Sequence, residues 1–185
     1  MQALSQGPIM KLSDFCKTLD GKLASSPADT TLRLSALALQ QAFKVSEDEV
    51  AFMKIDPQAE CLYFVWPAKL GKAGCIPLKT RDSLAAATVR DNRPQLNNRF
   101  SATYHASVFE QIRLDAPAKG KETDEPARPK IIQKIMSVPL FKAETVVGVA
   151  QVSRKGNDAN AAGGDFTPAE LDALSEIAKV IGSHI

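Results

Sequence analysis

The side chains best equipped for chemistry are three cysteines, Cys16, Cys61 and Cys75, and two histidines, His105 and His184. A thiol can attack an electrophile, bind a soft metal or pair as a disulfide. Metal binding needs ligands at short, regular spacings, and the three cysteines show none. Their odd number, in a chain whose start MQALSQGPIMKLSDF lacks a basic segment followed by an apolar one, predicts reduced thiols, no signal peptide and a cytoplasmic protein. Free cysteines of this kind are ordinarily buried or half-buried packing residues. No Ser-His-Asp set or paired carboxylates stand out. GKAG (71–74) and NAAGG (160–164) are short and lack the strand–loop–helix setting of a phosphate-binding loop. The expectation is therefore no catalytic residue and no metal.

The chain has 185 residues, 44% of them hydrophobic, with 23 basic against 21 acidic side chains and a net charge of +2. That length suits one domain with flanking helices, and the apolar fraction supplies a core. The charge is too small, and too little clustered with aromatic residues, for a nucleic-acid surface. No run approaches the roughly 18 apolar residues that span a bilayer, so a soluble protein is expected.

The elements that must position any site read as follows. Leu12, Phe15, Cys16, Leu19 and Leu23 recur at three- and four-residue steps, predicting an amphipathic helix over 9–23. Ser26 as cap, Pro27 at the first helical position and Asp29 predict a second helix to about Val45, with Leu32, Ala36, Leu39 and Phe43 on one face. EVAFMKI (49–55) and CLYFVWP (61–67) predict a hairpin turned at Asp56-Pro57. An irregular connection with one extended piece, Cys75 to Leu78, leads to a short helix capped by Ser83 and a short strand in RPQLNN (93–98). A helix is expected over 103–114, then a solvated, mobile loop over 115–130, which has no large apolar residue. IIQKIMSVPLF and TVVGVAQVS predict a second antiparallel pair around KAE. There Pro139 should lie at an edge or bulge, and Gly148 where another backbone comes close. Thr167, Pro168 and Glu170 form a capping box for a last helix with the stripe Leu171, Leu174, Ile177, Ala178 and Ile181. Mixed helices and hairpins make this an α+β fold with a central antiparallel β-sheet.

VPLFKAETVVGVAQV, the trailing RKG and FTPAELDALSEIAKVIG, in that order, resemble a GAF domain, one of the PAS-like sensory and regulatory families. EVAFMKIDPQAECLYFVWP and SLAAATVRDNRPQLNN resemble its first hairpin and its central helix-plus-strand. The likeness covers residues 28–185 and leaves 1–27 as an N-terminal helical extension. It implies a sheet of order 2-1-5-4-3, with the N- and C-terminal helices on one face and a pocket-covering segment, 67–130, on the other. The pocket so implied would be walled by Phe64 and Trp66, two apart on one strand and therefore expected on one face. Ile76, Leu78, Leu84, Tyr104 and Phe109 would come from the cover, and Arg99 could hold an anion.

The resemblance also suggests what the pocket would take. Cyclic-nucleotide-binding members often carry Asn-Lys after the last strand, then Phe, three residues, and Asp-Glu. Here the positions read Ser153-Arg154, Phe166 and Glu170-Leu171, so only the Phe is kept. Bilin-binding members use a Cys often followed by His, but Ile76 follows Cys75. Haem would need an axial ligand, for which His105 is the one placed on a predicted helix, while His184 sits at a frayed end. The leading expectation is a non-catalytic module for an unidentified small molecule, acting on a separate output protein through a homodimer of helices 9–23 and 167–185. Without a partner, the stripe of the first helix would leave Leu12, Phe15 and Leu19 uncovered. The alternatives are a ligand-free dimerisation module and, third, a GAF-type free-methionine sulfoxide reductase using Cys61 and Cys75. For the last, a hairpin centred near residue 70 would set Cys75 opposite Val65. Cys61 would then be about 13 Å away, beyond disulfide reach.

Overall fold

The computed structural model describes residues 11–102 and 130–185. Two helices open the chain, α1 (Leu12–Ala24) and α2 (Ala28–Phe43). Ser26 does not cap α2; its hydroxyl turns back and donates to the Lys22 carbonyl at 2.6 Å, and Pro27 stands just outside the helix. The strands β1 (Val50–Asp56) and β2 (Cys61–Trp66) follow, joined by a turn in which the Asp56 carboxylate accepts the Gln58 and Ala59 amides. Next come β3 (Cys75–Pro77), α3 (Leu84–Asp91) and β4 (Gln95–Asn97). The long pair β5 (Ile131–Lys142) and β6 (Thr145–Gly156) precedes α4 (Pro168–His184). No helix among the described residues is long and apolar enough to cross a membrane. The helix expected over 103–114 and the loop expected over 115–130 fall outside the described residues, save Lys130.

All strands pair antiparallel in one sheet of order β3-β2-β1-β6-β5-β4. Without β3 this is the order 2-1-5-4-3. The Cys75–Pro77 piece, expected outside the sheet as part of a cover, is instead an edge strand bonded to β2.

One face of the sheet packs on the helices. Val50, Phe52, Met136, Val138, Leu140, Ala150 and Val152 meet Leu39 and Phe43 of α2 and Leu174, Ile177 and Ile181 of α4 in the main core. Leu19 and Leu23 of α1 join it and are buried within this one chain. The apolar stripe of α1 thus finds most of its cover in the same chain, and only Leu12 stays exposed. His184, expected at a frayed end, is half-buried and meets Asp20 of α1 at 2.8 Å, fastening α4 to α1.

Two glycines set how closely these layers approach. Gly148 on β6 lies opposite Lys54 of β1, and a Cβ there would run into the Met53 carbonyl. Gly182 lies where α4 crosses β5, and a Cβ would meet the Phe141 backbone nitrogen at 2.7 Å. Neither obstacle is a flexible side chain, so relief requires moving backbone. Gly148→Ala and Gly182→Ala should each lose about 1–3 kcal/mol, the usual cost of overpacking. Gly21, inside α1 with nothing within 4 Å of its missing Cβ, should behave oppositely. Gly21→Ala should gain about 0.5–1 kcal/mol from helix propensity. Urea unfolding of the three variants checks this contrast.

Candidate functional site

The second face of the sheet has its own, smaller core. Met53, Leu62, Phe64, Leu70, Ile76, Ala85, Ala86 and Val149 pack together, with Leu78 against them. Of the expected wall residues, Phe64 and Ile76 belong to this core and Leu78 packs against it. The other described wall residues lie elsewhere. Trp66 packs on the helix side, not beside Phe64. The cause is a bulge: Phe52 pairs with Trp66 and Met53 with Phe64, so Val65 is an extra residue in β2. One extra residue resets the two-residue alternation and turns Trp66 to the other face. Its indole Nε1 is buried there without a hydrogen-bond partner. Leu84 is half-buried at the start of α3, outside the small core. Arg99 is exposed, with its backbone amide on the Asn97 side chain at 2.8 Å. Tyr104, Phe109 and His105 lie outside the described residues.

Polar side chains were missed on this second face. The helix-facing side of the β5–β6 pair is apolar over Met136–Leu140 and Gly148–Val152, with Lys134 and Arg154 at one end, whereas the other side is interrupted by polar residues. Ser137, Gln151 and Ser153 alternate with Met136, Val138, Ala150 and Val152 and point to the opposite face. Thr88 of α3 and Ser137 are fully buried with their hydroxyl oxygens 2.7 Å apart. The Gln151 carboxamide donates to Ser137 at 3.2 Å, and Thr88 donates to the Leu84 carbonyl at 2.8 Å. Proton bookkeeping then gives one direction to the chain: Gln151 N–H to Ser137, Ser137 O–H to Thr88, Thr88 O–H to Leu84. This relay pins α3 to the middle of the sheet. The signal was present in the sequence as polar residues at every second position, SVP against AQVS.

Every position compared with the cyclic-nucleotide pattern has a partner within the chain, and Arg154, Phe166 and Glu170 meet at the junction between β6 and α4. Ser153 donates to the Glu49 carbonyl at 3.2 Å. Arg154 lies over the Phe166 ring at 4.0 Å and donates to the Gly164 carbonyl and to Glu170 at 2.6 and 3.0 Å. Asn98 clasps the Phe166 backbone with two 2.9 Å hydrogen bonds. Glu170 completes the capping box with Thr167. Leu171 packs on the main core. Beside them, the buried Lys134 reaches Asp165 at 2.8 Å.

The thiols stand differently from the expectation. Cys61 lies opposite Pro77 and Tyr63 opposite Cys75. The hairpin centre is thus one residue earlier than assumed, which shifts the pairing by two and makes Cys61 and Cys75 diagonal neighbours on one face. The 13 Å separation is overturned. Hydrogen bonding to Cys75, then burial, then the charges of a Cys75 thiolate and of Asp56 push the Cys61 thiol up to about 11. Cys16 is remote, on α1, where burial and then Glu176 raise its pKa. Among the described residues, no group of three His, Cys, Asp or Glu side chains could hold a metal ion.

No family model and no curated protein sequence matches the chain. Solved structures do. The GAF domain of an Acinetobacter phosphoenolpyruvate-protein phosphotransferase is similar at 16% identity and TM-score 0.62, over 93% of this chain and 90% of that one. The free methionine-R-sulfoxide reductase of Neisseria meningitidis, solved with its substrate, is similar at 17% identity and TM-score 0.59, over 100% and 95%. The GAF-B domain of DevS from Mycobacterium smegmatis gives 18% identity and TM-score 0.53, over 85% and 92%. These likenesses show that the chain has the GAF fold.

The β6–α4 junction gives a pH-dependent prediction. Burial by itself would raise the Glu170 pKa, but the Thr167 amide and hydroxyl, with Arg154, outweigh it and hold the carboxyl below its ordinary value. A group with a depressed folded-state pKa stabilises fully above its unfolded pKa and loses that contribution as pH falls through the folded value. Glu170→Ala should therefore cost about 1–2 kcal/mol at neutral pH, the size of a lost cap. The deficit relative to the parent should shrink in acid, below the ordinary carboxyl range. Urea unfolding across pH checks it; a deficit constant with pH would contradict the assignment.

Proposed function

We propose that this chain, whose fold is that of GAF domains, is a regulatory module that receives a small polar molecule on the α3 side of its sheet. The observation that supports this most is the Gln151–Ser137–Thr88 relay. Fully buried hydroxyls are costly unless bonded, and here they continue into a half-buried carboxamide. The Gln151 Oε1 accepts no hydrogen bond from a described residue. We read it as the polar group that meets a donor on a ligand, beside Ala51 across the ladder and Val149 two residues along β6 on the same face, a polar group at an apolar edge as in small-molecule sites. A ligand bonded there acts on α3 through Ser137 and Thr88. It also acts on β6, whose Ala150 and Val152 face the helices. A shift in β6 therefore reaches α4, the element from which a separate output protein would read it.

The test is a thermal-shift screen with nucleotides, amino acids and tetrapyrroles, using reduced protein. A compound at about a hundred times its Kd should stabilise by about 2.7 kcal/mol. Gln151→Leu should remove most of that shift while the variant remains folded. If no compound shifts the protein, or if the shift survives Gln151→Leu, the reading falls and the ligand-free interaction module takes its place.

A second reading, a thiol-dependent methionine sulfoxide reductase, draws on the adjacency of Cys61 and Cys75 and on the reductase from Neisseria among the similar structures. Turnover of free methionine sulfoxide that is lost in Cys75→Ser would favour it. Absence of turnover would remove it.

A further inference from the structure

Leu78 donates its amide to the Glu60 carbonyl at 2.9 Å, which fixes the alternation of the β2–β3 ladder. Residues 60 and 78 form a hydrogen-bonded pair, so Cys61–Pro77 and Tyr63–Cys75 are the two non-hydrogen-bonded pairs, where side chains come closest. Pro77 fits this position, since it has no amide hydrogen to contribute. Cys61 and Cys75 are the first residues of β2 and β3, one in each of these neighbouring pairs, and share one face. Flat diagonal neighbours lie about 7–8 Å apart between Cα atoms, with Cβ atoms nearer. The right-handed twist of a two-stranded edge shortens this diagonal. Any remaining closure falls on β3, which is three residues long, sits at the sheet edge, and starts after Gly74 at a φ of +92°. Their exposures differ: Cys75 is exposed and Cys61 is 3% exposed.

We propose that Cys61 and Cys75 are a redox modification site, forming a reversible intrachain disulfide when a peroxide reaches Cys75. The Cys75 thiolate attacks one peroxide oxygen. The O–O bond breaks, Cys75 becomes a sulfenic acid, and the other oxygen leaves with a proton as water. Cys61 then attacks the Cys75 sulfur. The S–O bond breaks, and the hydroxyl leaves with the Cys61 proton as a second water. Two thiols have lost two electrons, and one hydrogen peroxide has become two waters. The exposed thiol meets the oxidant, and the buried one, held protonated by its neighbour and by burial, resolves it. The bond ties Ile76 of β3 to Leu62 and Phe64 of β2, so oxidation stiffens one wall of the small core. The site does not depend on the ligand reading above, because neither thiol belongs to the Gln151 relay.

The test treats the folded chain with hydrogen peroxide, blocks remaining thiols and maps tryptic peptides without reduction. Cys61 falls in the peptide 55–69 and Cys75 in 73–79, so a link between them is directly visible. The expected result is that these two peptides join within one chain, that dithiothreitol releases them, and that Cys16 stays free. Cys16→Ser should leave the link unchanged. Cys61→Ser should leave a Cys75 sulfenic acid that dimedone traps. The proposal is overturned if Cys75 proceeds to sulfinic acid in the parent chain without a link. It is equally overturned if both thiols stay reduced at a dose that oxidises Cys16, or if the only disulfide joins two chains. The peptide map of the parent decides the matter even if a variant misfolds.

Discussion

The rest of the structure hangs on the antiparallel ladder between β5 and β6. Twelve-residue strands on either side of the Lys142–Thr145 turn occupy the interior of the sheet, with β1 added to one flank and β4 to the other. Two conditions let a ladder this long be central. Its partners must come close, which Gly148 allows to β1 and Gly182 allows to α4. Its proline must not interrupt a second ladder. Pro139 satisfies this because β4 pairs only with Ile135 to Ser137, leaving β5 bonded on one side at residue 139.

The ladder also divides the molecule into unequal halves. Toward the helices its middle is apolar and buried by three helices in the larger core, with Lys134 and Arg154 paired at the end that meets Asp165 and Glu170. Its opposite side carries Ser137, Gln151 and Ser153, whose hydrogen bonds must be found locally. Thr88 of α3 and the Glu49 carbonyl supply part of that demand. The first half is held mainly by non-directional burial, and the second by a few directed contacts beside a small apolar cluster. This asymmetry suits a module in which one side is scaffold and the other is responsive.

Much of this was legible from residues alone. The Thr167–Glu170 capping box, the Ser83 cap, the close approach at Gly148 and both long hairpins follow from local chemistry that tertiary context does not override. What was not legible depends on counting along a strand. One bulged residue at Val65 turns Trp66 away from Phe64, and nothing in CLYFVWP announces it. A hairpin centre one residue from the assumed one brings Cys75 opposite Tyr63 and makes a remote thiol pair a diagonal one. The stripe of α1 was legible as apolar but not as to what covers it, because a sequence does not say which helix lies beside Leu19. The polar alternation of β5 and β6 is readable as Ser137, Gln151 and Ser153 interleaved with the apolar residues of the main core.

If β5–β6 is the rigid spine and the α3 side the responsive layer, their amides must open with different free energies. Native-state hydrogen exchange measures this directly. The interior amides of β5 and β6 should exchange only through global unfolding, tracking the urea-unfolding stability. Those of α3 and β3 should exchange at least about tenfold faster through smaller openings. Equal protection of α3, β3 and the β5–β6 ladder, or faster exchange in the ladder than at the edge, would contradict the division into spine and responsive layer.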